Sequence, residues 1–283
     1  MLKEMAVADA YAIAFEFVKK PAHANDLGRY YQHPRYPLKP SWYTDDTQRA
    51  LANARCVIAN TLAPSDWIAS LQHTYKESPR PGYSERFQDF LERNLDAEPD
   101  AWLTRIKPTH TNGGIMGIMP LAFLPYRDVE QAVFNAVTIT HHDETAKWGQ
   151  VLVNAGRYLL SKVGRIDEMD SYLRDTMPFY ASEVRPRYLV PTGPVEMTAR
   201  DTALKVLGLV IQERTYSNII KQGVALGGDT DSVCALAIAM ATCGNDHEND
   251  MPDHLVRKLE DGDEARQNLL AKTDRQLIAL TRR

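Results

Sequence analysis

The chain of 283 residues has little cysteine, no long apolar run and no excess of positive charge. Its three cysteines, Cys56, Cys234 and Cys243, are an odd number with no C-x-x-C pair, which argues against a disulfide scaffold and a thiolate zinc site. The longest apolar run, Val233 to Ala241, is nine residues, against the ~20 that span a bilayer. Asp9 and Glu16 interrupt the N-terminal segment too early for a secretion signal, so the expected compartment is a reducing cytoplasm. Lys and Arg number 33 and Asp and Glu 37, a net charge of −4, so the basic excess of a general nucleic-acid binder is missing. Alternating Val, Ile, Thr and aromatic residues are nearly absent, which leaves a β-sheet little to form from. No stretch has the Gly/Ser composition of a flexible linker, and there is no internal repeat.

What is present is helical period. The hydrophobic fraction is 44% and the charged fraction 25%, as in folded soluble proteins. A chain of this length buries about three quarters of its unfolded surface and needs no covalent staples. Apolar residues at i, i+3, i+4 spacing predict helices over 4–18, 46–60, 65–75, 84–95, 129–140, 144–162, 197–213, 216–225, 230–242 and 263–281. Segments 20–43, 99–114 and 183–196 are proline-bearing and without period, and are expected as ordered functional loops. The expectation is one compact all-α domain, 1–283, with binding loops and an outer, solvent-facing C-terminal helix.

Two acid-hydroxyl clusters stand at the starts of helices. Thr44-Asp45-Asp46-Thr47 opens the 46–60 segment, and Gly227-Gly228-Asp229-Thr230-Asp231-Ser232 precedes the most apolar segment of the chain. Such oxygen donors suit hard cations such as Mg2+, Mn2+ or Ca2+. They equally suit helix N-caps, where acids complement the free N–H groups and the dipole. If the two tips face each other, four carboxylates meet at one point and cannot all remain ionised without cations. Two divalent ions would resolve that conflict. No His or Cys lies in either cluster, which disfavours zinc.

Asp9 and Glu16 lie seven residues apart, two helical turns, among Ala, Tyr, Ile and Phe. A partly buried carboxylate there suits a general acid or base, or pairs with Lys19, Lys20 or an arginine. Asn112-Gly113-Gly114 can expose N–H groups to a phosphate or carbonyl, or serve close helix packing. His141 and His142 do not fit H-E-x-x-H spacing and are expected to be structural, with Asp143 capping the next helix.

Taken together, Ala8-Asp9-Ala10-Tyr11-Ala12 with Glu16, then Thr44 to Thr47, then Asn112-Gly113-Gly114, then Gly227 to Ser232 resemble in order and spacing the motifs of the ADP-ribosylglycohydrolase family. That resemblance implies an all-helical fold and two Mg2+ or Mn2+ ions held by Thr44, Asp45, Asp46, Asp229, Asp231 and Ser232. It implies Glu16, Asp46 and Asp231 as catalytic residues, with Asp9, Asn112, Gly113, Gly114 and Gly193 on the substrate. The reaction implied is hydrolysis of the glycosidic bond between ADP-ribose and an acceptor, so the partner is an ADP-ribosylated protein or another ADP-ribose conjugate. Where the family has glycines in the first motif this chain has Ala8 and Ala12, and where it often has an arginine after the Asn-Gly run this chain has Gly117. These departures leave room for a degenerate, non-catalytic binding protein, or for a metal-dependent nucleotide or phosphoester hydrolase. In the hydrolase reading Asp45, Asp46, Asp229 and Asp231 are neutralised locally by two dications, so a net charge of −4 does not count against an anionic ligand.

Overall fold

The computed structural model describes residues 1–19, 21 and 23–281. Among them are α1 (Leu2–Ala12), α2 (Asp45–Ala59), α3 (Pro64–Glu77), α4 (Glu85–Arg93), α5 (Pro99–Arg105), α6 (Tyr126–Thr138) and α7 (Asp143–Leu160). The second half contributes α8 (Met169–Thr176), α9 (Pro178–Glu183), α10 (Ala199–Gln212), α11 (Tyr216–Leu226), α12 (Thr230–Ala241), α13 (Asp253–Lys258) and α14 (Glu264–Leu280). The only β-type pairings among the described residues are isolated bridges, so the fold is the expected all-helical single domain around one hydrophobic core. Among the described residues, no helix is long and apolar enough to cross a membrane.

The centre of the fold follows from side-chain size and polarity. Every residue of α12 is buried, because TDSVCALAIAMA is apolar on all faces after its first turn. α12 packs most extensively on α1, whose Ala6, Ala8, Ala10 and Ala12 let the two backbones approach closely, and is flanked by α10 and α11. α2 crosses the same core, with two acids in its first turn favoured by the helix dipole and a left-handed Asn60 closing its C-terminus. α14 lies outermost and buries only Leu270, Thr273 and Leu277.

Several expected boundaries differ. The 4–18 helix stops at Ala12, continues as a 3-10 turn over Ile13–Phe15, and breaks at Glu16 and Phe17. The Phe17 N–H instead donates to the Gly228 carbonyl at 2.8 Å, so a tertiary bond replaces helix continuation. Residues 99–105, expected to be irregular, form α5: Pro99 starts it at a position that needs no N–H, and Trp102 is fully buried. The short α8, α9 and α13 were not expected either, since six to eight residues are too few to display a period.

One buried ion pair bears directly on the site. Arg80 and Glu260 are both fully buried and joined by two bonds of 2.7 Å, with Arg80 stacked over the Tyr43 ring. The pair ties the α3–α4 connection to the segment after α13 and fixes the next two residues, Pro81 and Gly82, against the start of α2. The Pro81 carbonyl accepts from the Asp45 N–H at 3.0 Å.

Candidate metal centre and substrate cleft

The starts of α2 and α12 do meet. Ser232 Oγ donates to Asp46 Oδ2 at 3.3 Å, across a separation of 186 residues in sequence. Beside this contact, carboxylate oxygens of Glu16, Asp229 and Asp231 lie within 4.8 Å of one another. Asp45, Asp46, Asp229, Asp231 and Ser232 are all buried, and Glu16 is half-buried at their edge.

The capping explanation of the two clusters fails on geometry. Thr44 occupies the N-cap position of α2, but its hydroxyl donates to Asp9 Oδ1 at 2.8 Å and caps nothing. The capping oxygen comes from α1: Asp9 Oδ2 accepts the Thr47 N–H at 3.1 Å and the Thr47 hydroxyl at 2.6 Å. The Thr44 N–H also donates to Asp9, at 3.0 Å. At α12, Asp229 makes no cap with its side chain and instead accepts from Asn112 Nδ2 at 2.6 Å. Asp46 Oδ1 and Asp231 Oδ1 are buried and have no hydrogen-bond donor among the described residues. Buried carboxylate oxygens without donors are rare and call for a partner.

The electrostatics point the same way. Burial first, and then Asp45 and Asp9, push the Asp46 carboxyl well above the usual carboxylate range. Burial, then Glu16 and Asp229, do the same to Asp231, and burial with Asp9 to Asp45. Glu16 is pushed up to about 8 by burial and by Asp229 and Asp45. It forms no ion pair with Lys19 or an arginine among the described residues, and Lys20 lies outside them. A cluster of this kind is unfavourable as anions alone and favourable around divalent cations, and its all-oxygen donors fit a hard cation.

The cleft above the acids encloses about 900 Å³, at the upper end of the ~300–1,000 Å³ typical of ligand sites. Its other walls come from Gly82 and Tyr83, from α4, from residues 105–116 and from Met197. Glycine is required twice at its edge. Gly82 has φ +115°, and a Cβ there would fall 1.8 Å from Asp45 Oδ1. Gly228 has φ +77°, and a Cβ there would fall 2.2 Å from the Val195 carbonyl oxygen.

The expected substrate residues are divided by this geometry. Asn112 and Gly113 line the cleft, with the Asn112 amide committed to Asp229 and Thr202. Gly114 packs instead against His141, where a Cβ would meet the ring at 2.8 Å. Gly193 is exposed and away from the cleft; the part of its segment that reaches the site is Val195, paired with Gly228, and Met197. Asp9 is fully buried behind α2 and does not reach the cleft, so its place is beneath the Thr44–Thr47 turn and not on a substrate. Glu16 does reach the cleft, but because the chain leaves the helix; the two-turn spacing from Asp9 plays no part.

His141, expected to be structural, is held by neighbouring threonines and also forms part of the cleft wall. Its ring nitrogens meet Thr140 at 2.7 Å and Thr111 at 3.0 Å, and burial with Arg49 nearby pushes its pKa down to about 3, so it stays neutral. His142, not Asp143, occupies the N-cap position of α7. Arg49, Phe87 and Phe90 also line the cleft. They were not singled out in the sequence, where the only signal was one charge, Arg49, among the buried positions of α2.

The family model of ADP-ribosylglycohydrolases matches residues 5–283. The chain belongs to the ADP-ribosylglycohydrolase family. No curated protein sequence matches it. Among solved structures, it is similar to an "ADP-ribosylglycohydrolase-related protein complex" with a TM-score of 0.74 and 22% identity, over 99% of this chain and 95% of the other. At that identity the likeness concerns the fold. The all-helical architecture is what brings two sequence-distant acid clusters to the floor of one cleft in this chain.

Proposed function

We propose that the protein is a metal-dependent hydrolase that cleaves the glycosidic bond between ADP-ribose and an acceptor, either a protein side chain or a small molecule. The observation that carries this reading is the pair of donor-less buried oxygens, Asp46 Oδ1 and Asp231 Oδ1, in a cluster with Glu16 and Asp229. Asp45, Asp46, Asp229, Asp231 and Ser232 would hold two divalent cations, with Thr44 contributing through a hydroxyl whose proton goes to Asp9. Bound there, the cations supply Lewis-acid charge for ribose hydroxyls and for a water.

The chain's own residues do the rest. Asn112 holds Asp229 in a fixed rotamer through its 2.6 Å bond, and Ser232 does the same for Asp46. Glu16 stands at the cleft wall with part of its side chain open, so it can exchange a proton with the reacting group and with solvent. The remaining carboxylate charge stabilises the oxocarbenium-like character that builds at the ribose carbon. ADP-ribosyl-arginine and ADP-ribosyl-serine peptides, assayed with Mg2+ or Mn2+, test the reading. Release of phosphate without cleavage of the ribose–acceptor bond would replace it with a phosphoester hydrolase.

Two further outcomes are expected. The first concerns pH. Glu16, Asp45, Asp46 and Asp231 all have raised folded pKa values, so the metal-free folded state holds protons that the unfolded state releases above its ordinary carboxylate range. Their contribution to metal-free stability is therefore greatest at acid pH and is lost as pH rises, through about 8 for Glu16. Cations compete with those protons. The rise in Tm on adding Mn2+ should grow steadily between pH 5 and 8; a rise independent of pH would contradict the assignment.

The second concerns Gly82. Alanine there strains a backbone at φ +115° and drives its methyl onto Asp45 Oδ1. Gly82→Ala should weaken Mn2+ binding about 10–100-fold, as for residues that orient metal ligands, with helix content unchanged. Titration calorimetry of Mn2+ reads it, and unchanged affinity would remove Asp45 from the ligand set.

A further inference from the structure

Arg49 lies one helical turn beyond Asp45 on α2 and is only 8% exposed, yet its side chain lines the cleft. Among the described residues its guanidinium has no hydrogen-bond acceptor and no carboxylate within ion-pair distance. An arginine keeps its charge at any physiological pH, and here the side chain opens onto the cleft, where a ligand oxygen can reach it. Asp45 and Asp46 are near enough to act on it through space. Once those acids are committed to cations, that compensation is gone and Arg49 faces the cleft with an unmatched charge. The nearest aromatic wall is Phe87, whose ring centroid is 6.0 Å from Arg49 Cζ.

The outer cleft carries charges of both signs. Arg86 and Lys107 line it further out, and neither has a carboxylate partner among the described residues; Arg86 donates only to the Lys107 carbonyl, at 3.4 Å. Glu85 and Asp89 line the same outer wall, with Asp89 paired to Arg93, so Arg86 and Lys107 are cations there that remain without a carboxylate partner among the described residues. Gly117 adds a constraint from the opposite side: a Cβ there would come within 2.7 Å of Arg49 Cβ and 2.5 Å of the Ala50 nitrogen. A side chain at position 117 would therefore displace Arg49 from its place on the cleft wall.

We propose that Arg49 receives a phosphate of the substrate's diphosphate group, making it a binding residue that selects phosphorylated ribose over plain ribose. This rests on the proposed hydrolase reading, which supplies a diphosphate next to the ribose held at the acids. A guanidinium presents two parallel N–H donors to phosphate oxygens, and in a buried site such charge-assisted bonds are strong.

Titration of ADP-ribose and, separately, of Mn2+ into the wild-type protein, Arg49→Met and Arg49→Lys tests it. Methionine keeps an unbranched side chain without the charge. ADP-ribose should bind Arg49→Met about 10–100-fold more weakly, with lysine in between, and Mn2+ affinity should be unchanged or tighter because a nearby positive charge is gone. In turnover the loss should appear in KM more than in kcat, and the salt dependence of ADP-ribose binding should flatten. Equal ADP-ribose affinity in wild type and Arg49→Met overturns the proposal, as does a parallel loss of Mn2+ binding, which would assign Arg49 to organising the acids. If Arg49→Met does not fold, judged by circular dichroism, Arg49→Lys carries the test through its loss of bidentate binding. If the wild type binds no ADP-ribose, the hydrolase reading falls. Inorganic pyrophosphate titrated in EDTA then still decides Arg49: binding that Arg49→Met loses supports it, and binding that Arg49→Met retains, or none to the wild type, rejects it.

Discussion

Asp46→Asn combined with Asp231→Asn is expected to lower the hydrolysis of ADP-ribosyl-arginine or ADP-ribosyl-serine peptides by about 10³-fold or more, equivalent to ~4 kcal/mol of transition-state stabilisation. The two residues stand at the starts of α2 and α12, and each has one buried oxygen without a donor. An amide keeps the shape and removes the charge that a divalent cation needs, so ligation fails while packing survives. Stability should move the opposite way. Burial and neighbouring acids hold both carboxyls above their usual range, so the metal-free wild type is destabilised as pH rises and these groups are forced to ionise. The neutral amides escape that penalty. The metal-free double variant should therefore melt above the metal-free wild type at pH 8, by about 2–5 °C for a chain of this size, and the gap should close toward pH 5. Full activity in the double variant would sink the metal-centre assignment, and a lower Tm at pH 8 would show that the acids are not repelling one another.

Asp9→Ala should produce the largest loss of stability, about 3–5 kcal/mol, because it strips a fully buried carboxylate from four donors at once. The Thr44 and Thr47 N–H groups and hydroxyls have no water to turn to, and the first turn of α2 loses the cap that α1 provides. Asp45 and Asp46 sit on that turn, so Mn2+ affinity should fall with stability although Asp9 never reaches the cleft. Urea unfolding with and without Mn2+ measures both effects. A variant that unfolds like the wild type but fails to bind ADP-ribose would instead return Asp9 to the substrate. Asp9→Asn should fall between, since one amide oxygen can still accept while the NH2 group opposes the remaining donors.

Much of this was legible in the chain. The apolar run 233–241 announced a buried helix, and it is the most enclosed element of the fold. Asp45, Asp46, Asp229 and Asp231 were visible as acid-hydroxyl tips because each sits beside the helix start that displays it. Local pattern misled where a tertiary contact overrode it. The period through residue 18 promised a helix that carried Glu16 on the face of Asp9, but the Phe17 N–H is claimed by Gly228. Trp102 marked no helix in a proline-bearing loop, yet burying its ring against the core makes α5 worth forming.

By itself the sequence determined helix as the building unit, the acid-hydroxyl chemistry of two segments and the resemblance that joins them. Residue type and spacing of 3.6 are local properties, and a chain displays them without folding. Only the tertiary structure decided that Asp9 is a cap for α2, that Gly193 stands away from the cleft while Met197 lines it, and that Arg49 faces the cleft without an ion-pair partner among the described residues. Those are statements about which distant groups share a space, and hydrogen-bond saturation and burial acquire a value only when residues 9, 44, 112 and 229 are brought within a few ångströms of their partners.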